Sequence, residues 1–161
     1  MKKTWIEIKK FRFSNLKTAG LKALNAGKFK TSPWIGDIVK KNKYSLKVFK
    51  LPIKLVRVKV KDLGFKKPSE LRKIYKQAKS KGLNLVPPAI AIYSRLLYTN
   101  QKTGEWIRFA TPLNSMIDSD GVPHLPKLGK ALNSLFIETY WSYPKAIFHP
   151  HNEFVVMRND I

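Results

Sequence analysis

The chain has 161 residues, enough for one domain with its own core, and 43% hydrophobic with 12% aromatic residues exclude a disordered basic tail. It carries 32 Lys+Arg against 10 Asp+Glu, a formal net charge of +22, and it has no Cys, which excludes disulfides and thiolate metal sites. No apolar run approaches the ~20 residues of a membrane helix, and charges interrupt MKKTWIEIKKFRF where a secretory leader would be apolar, so a cytoplasmic protein without a membrane span is expected.

In chain order, Trp5, Ile6, Ile8, Phe11 and Phe13 suggest a first strand with an irregular middle. Ser14 is placed to cap a helix through SNLKTAGLKALNAG that ends near Gly27, with Gly20 weakening it. Ser32-Pro33 starts a second helix, because Ser caps and Pro fits a first turn; Ile35, Ile38 and Val39 form its apolar stripe. A short strand is expected over 44–49 and a stronger one over 55–61, where Val56, Val58 and Val60 alternate with Arg57, Lys59 and Lys61. KKPSELRKIYKQAKSKG reads as the clearest helix: Pro68 and Glu70 suit its first turn, Leu71, Ile74, Tyr75 and Ala78 share a face, and Gly82 closes it. Pro87-Pro88 breaks the chain before a helix over 89–98, with Ile92, Leu96 and Leu97 buried and Arg95 near the edge. GEWIRFATP, a turn at DSDG, HLPKL, LNSLFIETYW and NEFVVMRN then read as an antiparallel meander. The expected fold is a single α+β domain over 1–161, with helices and strands in the N-terminal part and a C-terminal antiparallel β-meander.

The charge is uneven. Between Lys9 and Lys61 the only acid is Asp37, and between Glu70 and Glu105 there is none. So large a surplus repels itself unless a polyanion is near. The expected function is therefore non-enzymatic binding of nucleic acid or another polyanion, without sequence specificity. Lys28, Lys30, Lys40, Lys41 and Lys43, with Arg57, Lys59 and Lys61, are the expected contacts. Aromatics interleave with basic residues at Lys28-Phe29-Lys30, in KVFK, and at Trp106-Ile107-Arg108, a pattern that suits base stacking with phosphate neutralisation if the rings are exposed.

Two other classes stay open. A small nuclease would draw, if metal-free, on His149 or His151 with Arg95 and Arg108, and, if metal-dependent, on Asp118 and Asp120 of DSDG. A protein-interaction module would set the charge against an acidic partner. His149, His151 and Glu153 would share one side of a strand, but Pro150 disrupts it, and Asp120-Gly121 is turn chemistry, so no metal ligands are assigned. GxxxxGK[ST] and GxSxG are both absent, and no cofactor is implied. A buried Arg95 would need a partner, and Glu105 is the nearest acid downstream.

The order LVRVKVKDLGF, LRKIYKQAKSKGLNLVPP, SRLLYTNQKTGEWIRFATP, DSDG, a late Trp and NEFVVMR resembles a family of small bacterial proteins of unassigned biochemical activity; TWIEIK and WIGDIV fit it too. Leu63-Gly64-Phe65, Gly82-Leu83, Leu85, Pro87, Arg95, Gly104-Glu105, Pro112, Asp120-Gly121 and Phe154-Val155 carry the resemblance over almost the whole chain. It implies no particular activity. Ala89 stands where the family tends to have an acid shortly after the proline, and this chain is far more basic than the family pattern.

Overall fold

The structure, a computed structural model, describes residues 2–158. Its elements are β1 (Thr4–Ile8), α1 (Leu21–Ala26), β2 (Lys30–Thr31), α2 (Pro33–Lys41), β3 (Ile53–Lys59), β4 (Ser69–Glu70), α3 (Leu71–Ser80), β5 (Leu83–Asn84), α4 (Pro88–Leu97), β6 (Trp106–Phe109), β7 (His124–Ala131), β8 (Ser134–Trp141), β9 (Ile147–Phe148) and β10 (Glu153–Arg158). A π-helical turn, Leu16–Gly20, leads into α1, and a 3-10 turn, Val60–Leu63, follows β3. The fold is α+β. No helix among the described residues is long and apolar enough to cross a membrane.

The local signals act as their chemistry requires. The Ser32 hydroxyl accepts from the Trp34 N–H at 3.2 Å and Pro33 opens α2. Leu71, Ile74, Tyr75 and Ala78 are the buried side of α3, and Gly82 follows it at φ 77°, a left-handed geometry that glycine adopts without strain. Ser14 is not the first cap: Asn15 accepts from the Thr18 N–H instead. Pro68 and Glu70 precede α3, because Ser69 and Glu70 pair with β9. The stretch 44–49 forms no strand; Ser45 makes only an isolated bridge to Asn15.

Seven strands run in the order β1-β3-β10-β6-β7-β8-β2, with β5 on the far half of β10. The β6-β7-β8 meander is antiparallel, and the two-residue turn at Leu132 and Asn133 takes positive φ at both positions, as a tight hairpin demands. The last strand departs from the expected meander. β10 does not follow β8; it inserts between β3, antiparallel, and β6, parallel. Its apolar residues explain this, since Phe154, Val155 and Val156 are all buried and alternate between the two sides of the sheet.

Both faces of the sheet are used. On the first, Ile53, Leu55, Ile107, Phe109, Leu128, Ile137 and Val155 meet residues of α1, α2 and α4. On the second, Val56, Val58, Phe154 and Val156 meet the apolar side of α3. The valine row is core as expected: Val56, Val58 and Val60 are 0%, 2% and 0% exposed. The strand itself ends at Lys59, so Val60 and Lys61 belong to the 3-10 turn.

Candidate nucleic-acid interface

Strand β6 alternates. Ile107 and Phe109 point into the first core, which sends Trp106 and Arg108 to the second face. Pairing aligns Trp106 with Gly129 and Gly129 with Phe136; it aligns Arg108 with Lys127, Lys127 with Glu138, and Leu125 with Tyr140. Residues opposite one another share a face. Trp106, Arg108, Lys127, Phe136, Glu138 and Tyr140 therefore form one surface on the β6–β8 half of the second face, and all six are half-exposed.

The cations lie among the rings. The Arg108 guanidinium is 5.0 Å from the Tyr140 centroid and 5.6 Å from that of Phe148. Lys127 Nζ is 5.0 Å from the Trp106 centroid and 5.7 Å from that of Tyr140. Trp106 and Phe136 are 6.1 Å apart. Burial holds Arg108 below its ordinary pKa, partly offset by Tyr140. Burial and the neighbouring Arg108 lower Lys127, and Glu138 across the strand opposes them. Neither cation makes a salt bridge among the described residues, and Arg108 Nε is buried without a hydrogen-bond partner. The surface holds two cations against one carboxylate, with aromatic faces around them.

Arg57 is corrected. It is not a free member of a wet basic row: its guanidinium meets Glu105 Oε2 at 3.1 Å, the Glu153 carboxylate, and the Tyr98 hydroxyl at 3.2 Å, and Trp5 lies 5.5 Å from it. Tyr98 donates to Glu105 at 2.6 Å. Burial alone would lower the Arg57 pKa, but the two carboxylates raise it well above the ordinary arginine value. Burial would raise Glu105, yet hydrogen bonds from Tyr98 and Arg57 and the guanidinium charge hold it below the usual carboxylate range. An arginine shared by two acids has little charge left for phosphate. Lys59 and Lys61 are exposed beside it.

The N-terminal lysines are exposed as expected, but the sheet separates them from that row. Lys30 lies on β2 and Lys40 and Lys41 at the end of α2, which packs on β8; Lys28 and Lys43 flank these elements. β2 is five strand spacings from β3, roughly 24 Å at ~4.8 Å each. Lys30 on β2 and Lys59 at the end of β3 are therefore well apart along the sheet.

Arg95 is fully buried, at 0% exposure, and not near an edge, whereas Leu97 is exposed. Its guanidinium donates to Gln101 Oε1 at 2.8 Å and to the carbonyls of Phe136 at 2.9 Å, Gly129 at 3.3 Å and Tyr98. Glu105, the acid expected to pair with it, pairs with Arg57. Burial brings the Arg95 pKa down to about 10. Its role is to tie α4 to β7 and β8. His149 and His151 lie exposed in the turn before β10 rather than on a strand with Glu153; their rings stack at 5.6 Å, and the His149 N–H bonds Asn152 Oδ1 at 2.7 Å. No group of three or more His, Asp or Glu that could hold a metal occurs among the described residues.

The alternation of Trp106, Ile107 and Arg108 is the one local sequence signal for this surface. Lys127, Phe136 and Tyr140 were missed because they come from neighbouring strands. Comparison with family models, with curated proteins and with solved structures finds no match to this chain.

Proposed function

We propose that this protein binds single-stranded nucleic acid, without sequence specificity and without chemistry on it, through the Trp106, Arg108, Lys127, Phe136 and Tyr140 face. The observation that carries this is the pair Arg108 and Lys127: half-buried cations without an ion pair, held over aromatic rings on a half-exposed sheet face. Cations over rings are in place to swing to phosphates and uncover faces on which bases stack. Stacking needs unpaired bases, so a duplex gains only the charge term. The surplus of +22 supplies long-range attraction, which steers any polyanion to the surface without reading its sequence.

The test is fluorescence anisotropy with a labelled homopolymeric single strand and a duplex of equal length, over a series of salt concentrations. Single strands bind tighter, and log K falls linearly with log salt. Tyr140→Ala costs about 1–3 kcal/mol, the worth of one stacked base. Arg108→Ala and Lys127→Ala each lower the salt slope by about 0.7, while reversing Lys59 and Lys61 leaves the single-strand preference intact. Equal affinity for duplex, or single-strand binding unchanged in all three platform variants, overturns the reading.

A further inference from the structure

A second site lies on the opposite face of the sheet, at the far end of β8. His124 pairs with Trp141 across β7 and β8, and these two point away from Tyr140. Beside them is a cleft of about 360 Å³ lined by Trp34, Asp118, Asp120, His124, Trp141 and Tyr143. Trp34, Trp141 and Tyr143 are 51%, 63% and 46% exposed. Three large aromatics wet around one concavity is an arrangement that isolated folding does not favour.

The interior of the cleft is already bonded. His124, 2% exposed, has Nε2 2.8 Å from Asp118 Oδ2 and Nδ1 3.0 Å from the Thr139 hydroxyl. Asp118 Oδ1 accepts from the N–H groups of Asp120 and Val122 at 2.8 and 2.9 Å. The Trp34 indole stacks on the His124 ring at 5.6 Å. Asp120 is the exposed carboxylate of the lining. Lys41 Nζ bonds the Asp118 carbonyl at 3.1 Å but does not line the cleft.

Charge separates this cleft from the rest of the surface. Three other surface clefts are each lined by three Lys or Arg side chains. This one has none, in a chain with 32 such residues. Aromatic faces are negative, and with an acid beside them they attract a cation. The interior polar atoms of His124 and Asp118 are engaged, so the acceptor oxygens left for a cation are those of Asp120 at the rim, and the interior offers an ammonium only ring faces. A cation that needs no hydrogen bonds fits best.

We propose that this cleft binds a quaternary ammonium group, with Trp34, Trp141 and Tyr143 as the cage and Asp120 as the rim charge. The site is independent of the nucleic-acid platform, which lies on the other side of β8.

The experiment titrates the full chain with choline and with its neutral carbon isostere, in which tert-butyl replaces trimethylammonium, following indole N–H resonances and heat. Choline shifts Trp34 and Trp141 and binds about tenfold or more tighter than the isostere. Trp141→Ala removes about tenfold of the affinity, and Asp120→Asn weakens it severalfold, both with melting temperature unchanged because both side chains are exposed. Equal binding of the isostere, shifts confined to other tryptophans, or no heat or shift at millimolar choline each overturns the proposal.

Discussion

Trp106 lies across the bare backbone of Gly129, its cross-strand partner, so closely that a Cβ at position 129 would collide with the indole ring. The glycine here serves close approach rather than an unusual φ. It seats the indole on the sheet, beside Phe136 and under Lys127.

Gly129→Ala therefore displaces Trp106. The expected destabilisation is about 1–3 kcal/mol, the usual result of overpacking a filled site. Denaturant melts measure it, and a red shift of Trp fluorescence reports the expelled ring. An unchanged melt with unchanged emission would show that Trp106 is not seated there.

Arg57→Met leaves Glu105 and Glu153 without their shared guanidinium. With side chains 21–22% exposed, the loss is expected near 1–3 kcal/mol at neutral pH, below the figure for a fully buried pair. The pH dependence has a definite sign. Glu105 has a folded pKa below its ordinary value, so its contribution is present above about pH 4.3 and is lost as pH falls through the folded value. In the variant the share of that depression due to Arg57 is gone, while the Tyr98 hydrogen bond remains. The gap between parent and variant should narrow as pH drops below the carboxylate range, in urea melts taken from neutral to acid pH.

Arg95→Met strips a donor from Gln101 Oε1 and from three backbone carbonyls. Losing a charged donor from several acceptors in a largely buried setting is costly, and a loss of about 3–5 kcal/mol is expected. Arg95→Lys should recover only part of it, because a single ammonium cannot reproduce the planar fork. Thermal melts of the two variants give the comparison; full rescue by Lys would contradict the assigned role.

Val58→Asp places a carboxylate at a site 2% exposed, among Val56, Phe154 and the apolar side of α3. The lining is apolar, and a loss above about 4 kcal/mol, enough to unfold a marginal domain, is expected. Circular dichroism of the purified variant checks this.

The elements readable from the chain were those governed by near neighbours. Ser32-Pro33 starting α2, the stripe from Leu71 to Ala78, the break at Pro87-Pro88 and the valine row of β3 all rest on capping, dihedral limits and periodicity, which act within a few residues. What could not be read depends on contacts far apart in the chain. β10 enters between β3 and β6 because its buried residues serve both cores, and no local pattern names its neighbours. Arg57 looks like an exposed cation until Glu105 and Glu153, 48 and 96 residues away, are brought to it. The platform shows the same division. The alternation through Trp106 and Arg108 is local, but their half-exposure follows from where the helices settle. α1, α2 and α4 cover the first face and α3 lies over the β3–β10 part of the second, so the rings of β6 and β8 meet water. Periodicity assigns a side chain to a face, and only the packing of distant segments determines whether that face is covered.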